Sequence, residues 1–219
     1  MSNTITTSIT NRNTIIDALV KQVKETEEYP YFYSVVQFGF VDNQGLELPP
    51  SIRRQFYDRN LVEETCVRIY NSLRENFNQT GRWMFVERHA NLYDPDDHSI
   101  IKHGRFHLNI ISSNIQDHII EEPNRKVRRL MLDDGKHQIP IKDFMYADLE
   151  ELKSALIDAC IKRCSSSWVN RFNYSIKTQV LGEVDDIDRT TKYCLKEFAS
   201  GENDFADIIV WKASDFISQ

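Results

Sequence analysis

The chain has 219 residues, of which 41% are hydrophobic and 27% charged, and its formal net charge is −6. These values are ordinary for one globular domain, and they count against a protein that coats long stretches of nucleic acid, because such proteins carry a basic surface. An enzyme that grips a short strand in a local basic groove is not excluded. Because no apolar run approaches the ~20 residues that cross a bilayer and the N-terminus lacks the layout of a signal peptide, we expect a cytoplasmic protein with no membrane partner.

The four cysteines form no Cys-x-x-Cys pair. In a chain without a secretion signal they are expected to be free thiols in a reducing compartment. Cys160 and Cys164 have the i,i+4 spacing of one helix face. Two interpretations stay open for them, a contribution to a metal site and the apolar face of an amphipathic helix.

Hydrophobic periodicity predicts the elements of the first half of the chain. Residues 1–12, rich in Thr, Ser and Asn, are predicted to be a flexible tail, and residues 13–219 a single domain. A loop is predicted over 91–103. Helical spacing or β-branched and aromatic alternation predicts a helix over 14–28, a strand over 31–40, a helix over 51–77, a strand over 82–88 and a strand over 105–112.

The second half begins with a polar, charged stretch over 113–143 that has no convincing period, and it is predicted to be a long connection, either functional or mobile. The predicted elements that follow are a helix over 146–163, a strand over 172–181, a helix over 185–198 and a last strand over 207–211. This order predicts an α+β fold, with a single central antiparallel sheet, mixed at its edge, and helices packed against it.

The most informative stretch is the predicted strand that contains His107 and Asn109. Residues two apart on a strand point to the same face, while Phe106, Leu108 and Ile110 point to the other face and into a core. An imidazole and an amide oxygen side by side on a rigid strand can hold a divalent metal ion. The sequence therefore predicts a metal site on this strand.

A later predicted helix carries Tyr193 and, one turn on, Lys196. Residues three apart on a helix share a face, so the lysine can hold a phosphate group next to the tyrosine hydroxyl. A metal site on a strand together with this pair favours phosphodiester cleavage through a covalent tyrosine link.

Three motifs in this order resemble the HUH endonuclease superfamily, especially the rolling-circle replication initiators (Rep proteins) of plasmids, phages and small single-stranded DNA viruses. The family has an apolar strand near its start, a His–bulky apolar–His strand, and Tyr-x-x-Lys on a helix. Residues 34–40, His107-Leu108-Asn109 and Tyr193-Cys194-Leu195-Lys196 resemble them in turn. The resemblance implies an RRM-like Rep fold and a metal-dependent enzyme that nicks and rejoins single-stranded or hairpin DNA through a 5′-phosphotyrosine on Tyr193.

One position departs from the family pattern, since Asn109 stands where the second histidine is expected. An amide oxygen suits a hard cation, so the implied cofactor is Mg²⁺ or Mn²⁺. The resemblance further implies an acidic ligand on the preceding strand, which Glu87 matches if the two strands pair antiparallel. His89 would share the face of Glu87, and His103 is a third metal or supporting candidate.

Basic residues outside these motifs are candidates for DNA contact, although each cluster is also typical of a solvated loop or helix face. The chain contains no Gly-x-x-x-x-Gly-Lys-Ser/Thr sequence, so unwinding of a duplex origin would need a partner such as a host helicase. The candidate DNA-binding residues are Arg53, Arg54, Arg105, Arg125, Arg128 and Arg129.

Two alternatives of other classes stay open. A non-catalytic nucleic-acid-binding or regulatory protein on a degenerate Rep-like fold is favoured by the acidic net charge and by Asn109. A small α+β scaffold protein with no nucleic-acid role is the other. Tyr193 together with Lys196 favours the enzyme.

Overall fold

The structure is a computed structural model. It describes residues 9–25, 31–38, 46, 49, 58–77, 79–88, 92–93, 100–102, 106–122, 127–132, 136, 138–140, 146–164, 174–200 and 205–216. In chain order its elements are α1 (Ile9–Lys24), β1 (Tyr31–Phe38), α2 (Arg59–Phe77), β2 (Arg82–Arg88), β3 (Leu92–Tyr93), β4 (Ile100–Lys102), β5 (Phe106–Ser112), β6 (Asp117–Glu122), β7 (Val127–Leu132), β8 (Gln138–Pro140), α3 (Tyr146–Cys164), β9 (Tyr174–Leu181), α4 (Val184–Cys194), α5 (Lys196–Ser200), α6 (Phe205–Ile208) and a 3₁₀ helix (Trp211–Ala213).

Four strands form the central sheet in the order β2-β5-β1-β9, and all three pairings are antiparallel. With α2 and α3, these strands follow each other as β-α-β-β-α-β, the split βαβ arrangement of ferredoxin-like and RRM-like folds. The predicted α+β fold with one central antiparallel sheet and packed helices is confirmed.

The sheet is covered on both faces, because its strands alternate apolar residues to two different cores. On one face Leu108 and Ile110 pack with residues of α2 and α3. On the other face Tyr31, Trp83 and Ile111 pack with residues of α1 and α4. His107 and Asn109 alternate with Leu108 and Ile110 along β5, so they lie on the second face, at the end of the strand beyond Ile111.

The predicted long connection over 113–143 is wrong, because β6, β7 and β8 form an antiparallel three-stranded sheet within it. Its apolar runs, such as Ile119-Ile120 and Leu130-Met131-Leu132, are short and flanked by charged residues, which hides the period of a strand. The predicted loop over 91–103 likewise contains the small hairpin of β3 and β4.

The predicted last strand over 207–211 is also wrong. The chain forms α6 and then a 3₁₀ helix there, with a single β-bridge between Ile209 and Phe85. A short apolar run such as Ile208-Ile209-Val210 is compatible with either a strand or a buried turn of helix, and its length does not decide between them.

The N-terminal helix begins at Ile9, inside the predicted flexible tail. Arg12 is anchored, since its guanidinium donates a hydrogen bond of 2.8 Å to the carbonyl of Phe198 and lies over the Phe198 ring. Residues 1–8, and residues 51–57 of the predicted second helix, lie outside the described residues. Within the described part of the chain, no helix combines the length and the apolar character that crossing a membrane requires.

Candidate active site

Three polar side chains meet at the β2–β5 pair. Glu87 and His107 are direct cross-strand partners, and Asn109 follows His107 on the same face. The Glu87 Oε2 atom lies 3.0 Å from His107 Nε2 and 3.1 Å from Asn109 Nδ2. His107 and Asn109 are buried, so the carboxylate binds both donors largely out of water. The antiparallel pairing expected for Glu87 is therefore present, and the three predicted ligand residues converge.

The ionised form of Glu87 is strongly favoured. Burial alone would raise its pKa, but hydrogen bonds from His107 and Lys196 outweigh burial and lower the pKa from 4.5 to about 2. Because an ionised carboxylate only accepts hydrogen bonds, the His107 Nε2 atom must carry a proton when it lies against Glu87.

The amide of Asn109 is oriented by two neighbours. Tyr33, on β1, donates its hydroxyl to Asn109 Oδ1 over 2.7 Å, while Asn109 Nδ2 donates to Glu87. A carboxylate cannot donate, so the nitrogen must be the amide atom that faces it. Burial raises the pKa of Tyr33, which keeps its hydroxyl protonated and able to donate. Asn109 therefore presents an NH₂ group, and not its oxygen, toward Glu87.

The sequence predicted one helix over 185–198 that carries both Tyr193 and Lys196, but the structure divides this segment into two helices. The helix α4 ends at Cys194 and α5 begins at Lys196, with Leu195 between them. The two side chains nevertheless meet, since Lys196 Nζ lies 3.9 Å from the centroid of the Tyr193 ring and forms an ion pair with Glu87 Oε1. Lys196 therefore joins the tyrosine to the polar cluster on the sheet.

Tyr193 and the cluster of Glu87, His107 and Asn109 line one cavity of about 490 Å³. Tyr193 is 47% exposed at its wall, and Val35 and Tyr33 belong to its lining. The cavity is lined by Tyr33, Val35, Glu87, His107, Asn109, Gln179, Arg189, Thr190 and Tyr193.

Five of these lining residues were not among the catalytic or metal-binding candidates predicted from the sequence. Arg189 and Thr190 precede Tyr193 by four and three residues on α4, so helical spacing alone would have placed them beside it. Tyr33, Val35 and Gln179 lie on β1 and β9, and only the strand order brings them next to Asn109. No local sequence pattern predicts that these three residues lie near Asn109.

The donor set fits a hard divalent cation in part. The carboxylate of Glu87 is a ligand type for Mg²⁺ or Mn²⁺, whereas the imidazole of His107 suits softer transition metals better than Mg²⁺. The oxygen of Asn109 joins them only if its amide flips, so that Oδ1 faces Glu87 and Nδ2 faces Tyr33. Among the described residues no group of three or more His, Cys, Asp or Glu side chains is gathered to hold a metal ion.

The remaining candidates fall into two groups. Arg128 and Arg129 lie on β7, in the three-stranded sheet and not in the central one. The predicted site residues His89, His103, Arg53, Arg54, Arg105 and Arg125 lie outside the described residues.

All four cysteines are free thiols, as expected. Cys160 packs in the core on the α3 face, and its Sγ lies 3.1 Å from the Ser72 hydroxyl. A hydrogen bond from Cys160 lowers the pKa of Cys164. This face of α3 is the one that packs on α2, so the amphipathic-helix interpretation accounts for the spacing.

Comparison of the chain with protein-family models, curated proteins and solved structures found no match. Membership of the HUH superfamily therefore stays a prediction that depends on motif order. The site geometry described above is independent of that resemblance, because it follows from the register of β2, β5 and β1 and from the position of α4.

Proposed function

We propose that this protein is a metal-assisted enzyme that nicks and rejoins single-stranded DNA, of the rolling-circle initiator type. The observation that carries the proposal is the shared cavity, in which Tyr193 stands beside the cluster of Glu87, His107 and Asn109. These residues come from three separate stretches of the chain, β2, β5 and α4.

In the proposed reaction the Tyr193 hydroxyl attacks a backbone phosphorus. An Oη–P bond forms, the bond from phosphorus to the 3′ oxygen breaks, and the phenolic proton ends on the released 3′-OH. The 5′-phosphotyrosine conserves the phosphodiester bond energy, so the reverse reaction rejoins the strand. Lys196, already against the Tyr193 ring, balances the negative charge of the phosphate.

Glu87 and His107 would hold Mg²⁺ or Mn²⁺, and Asn109 would join them after rotation of its amide. A bound cation would polarise the scissile phosphate and stabilise charge on its oxygens. For His107 Nε2 to act as a ligand it must be free of its proton, so the ring would hold a cation as the tautomer that carries its proton on Nδ1. Lys196 must also leave Glu87 Oε1, which frees its ammonium group for the phosphate.

The substrate is single-stranded, a hairpin end or a melted origin, because the scissile phosphate must enter the cavity beside Tyr193. The net charge of −6 fits a short contact rather than a long one. With no P-loop sequence in the chain, a host helicase is the proposed partner for unwinding.

A second candidate function has one specific observation in its favour. Asn109 points its NH₂ group and not its oxygen at Glu87, and Lys196 already neutralises that carboxylate. Such a site is complete without a cation. It suits a non-catalytic protein that binds nucleic acid on the same sheet.

A cleavage assay separates the two functions. A labelled pool of random-sequence single strands and hairpins is incubated with the protein and Mn²⁺, then resolved on a denaturing gel. If the protein is the proposed enzyme, we expect nicked products with the parent and none with Tyr193→Phe. Tyr174→Phe is the control, since it removes the hydroxyl of another tyrosine, at the start of β9, and should cleave like the parent. DNA that stays uncut on the denaturing gel but is retarded on a native gel would support the binding protein, and equal cleavage by Tyr193→Phe would exclude the tyrosine mechanism.

A further inference from the structure

The cavity extends beyond the cluster of Glu87, His107 and Asn109. Its lining continues across β1 to Gln179 on the edge strand β9, and to Arg189 and Thr190 on α4. The opening therefore spans all four strands of the central sheet, from Glu87 on β2 to Gln179 on β9. The residues at its β9 end take no part in the cleavage chemistry described above.

Arg189, Thr190 and Tyr193 face this cavity from one side of α4. Residues four apart on a helix are separated by about 6 Å along its axis. That separation matches one nucleotide step of an extended single strand. A phosphate at Tyr193 therefore places the neighbouring phosphate within reach of the Arg189 guanidinium.

The charge of Arg189 is available to a ligand. Its side chain is 79% exposed, and its ion pair with Asp186, three residues earlier on the same helix, is open to water. Exposed pairs of this kind contribute little and are readily exchanged. At one end of the cavity the negative charge of Glu87 is balanced by its ion pair with Lys196. At the other end Arg189 supplies a positive charge.

Gln179 and Thr190 complete this end of the cavity. Gln179 is exposed and is the cross-strand partner of Tyr33, next to the half-buried Val35. Its amide offers both a donor and an acceptor to the edge of an unpaired base, and Thr190 adds a hydroxyl beside Arg189. The guanidinium itself is suited to bidentate contact with a phosphate.

We propose that Gln179, Arg189 and Thr190 form a nucleotide subsite, in which Arg189 binds the DNA backbone phosphate next to the one that Tyr193 attacks. This subsite rests on the proposed DNA-cleaving function. It positions the strand and so selects which phosphate meets Tyr193, while the cation site acts on the phosphate that is cut.

Binding measurements in a Tyr193→Phe background test the subsite without cleavage. Fluorescence anisotropy with a labelled mixed-sequence single strand should show about tenfold weaker binding for Arg189→Ala, the loss expected for one charge-assisted contact. The slope of log affinity against log salt should fall by about 1. Arg189→Lys should restore the slope and only part of the affinity, because lysine keeps the charge without the bidentate geometry.

Lys192→Ala is the matched control. It removes one positive charge from the same helix, but Lys192 pairs with Asp188 and does not line the cavity. If Arg189→Ala and Lys192→Ala weaken binding equally, the subsite is wrong while DNA binding stands. If the Tyr193→Phe protein with Arg189 intact binds no single-stranded DNA, both the proposed function and the subsite are wrong.

Discussion

The Tyr33 hydroxyl donates a hydrogen bond of 2.7 Å to the amide oxygen of Asn109, and the amide nitrogen of Asn109 donates in turn to Glu87. The pair joins β1 to β5 at the floor of the cavity. A cation beside Glu87 would meet the NH₂ group of Asn109 unless the amide rotates. Rotation keeps a contact with Tyr33, whose hydroxyl oxygen can accept from Nδ2.

Asn109→Asp replaces an amide that must rotate by a carboxylate that presents oxygen in either orientation. We expect about tenfold tighter binding of Mn²⁺, because ligand charge tunes the affinity of oxygen sites for hard cations. In the metal-free protein the second carboxylate repels Glu87, so the melting temperature should fall and Mn²⁺ should more than restore it. Titration calorimetry and thermal melts measure both effects.

Asn76→Asp is the control for this substitution. Asn76 lies on α2 and donates to the Ser72 carbonyl, away from the cavity. Its exchange should leave the affinity for Mn²⁺ unchanged. Equal affinities of the parent and Asn109→Asp would show that position 109 does not approach the ion.

Lys196→Met should raise the affinity for Mn²⁺ by about fivefold, a figure that allows for the solvent exposure of the lysine. In the metal-free protein the Lys196 ammonium occupies Glu87 Oε1, where it competes with the cation. Lys192→Met removes the same charge from the neighbouring helix α4 and should change the affinity little. An affinity that stays constant or falls in Lys196→Met would contradict the competition.

Glu87 makes a pH-dependent contribution to stability. Its pKa is lowered from 4.5 to about 2, so the stabilisation is fully present above pH 4.5 and is lost as the pH falls toward 2. Glu87→Gln should therefore flatten the pH dependence of the free energy of unfolding in that window, as measured by urea denaturation. Glu63→Gln exchanges a glutamate that pairs with Arg59 on α2 and serves as the control. If the free energy of unfolding changes with pH in the same way for the parent and Glu87→Gln, the lowered pKa of Glu87 does not contribute to stability.

The C-terminal segment is fixed to the sheet by Asp215. Its carboxylate accepts hydrogen bonds from the backbone and guanidinium of the buried Arg82 and from the Tyr70 hydroxyl. Asp215→Ala leaves the Arg82 charge without its partner, so we expect the free energy of unfolding to fall by about 3 kcal/mol. Glu25→Ala, which breaks an exposed pair with Lys21, should cost less than about 0.5 kcal/mol. A loss for Asp215→Ala no larger than that of the control would contradict this role.

Long periodic segments were predictable from the sequence. The helix over 146–163 and the strand over 82–88 match α3 and β2 almost residue for residue, because each buries one clear face. The convergence of Glu87 with His107 was predictable as well, since it follows from antiparallel pairing of two recognisable strands.

Other features depend on tertiary contacts that a single sequence does not express. No glycine or proline marks the break between α4 and α5 in the sequence. The residue at the break, Leu195, is buried in the core. The contact between Tyr33 and Asn109 requires the order β5-β1 in the sheet. The orientation of the Asn109 amide depends on Glu87 and Tyr33 together, so the sequence predicted the ligand residue but not which of its atoms faces Glu87.

The most direct test of the central claim is capture of a covalent link between Tyr193 and DNA. The protein is incubated with Mn²⁺ and a random-sequence single-stranded library, washed under denaturing conditions, and digested for tandem mass spectrometry. We predict a nucleotide adduct on the Tyr193 phenolic oxygen, and a released strand with a 3′-OH that a polymerase can extend. DNA retained equally by the parent and by Tyr193→Phe, or an adduct on another residue, would contradict the account.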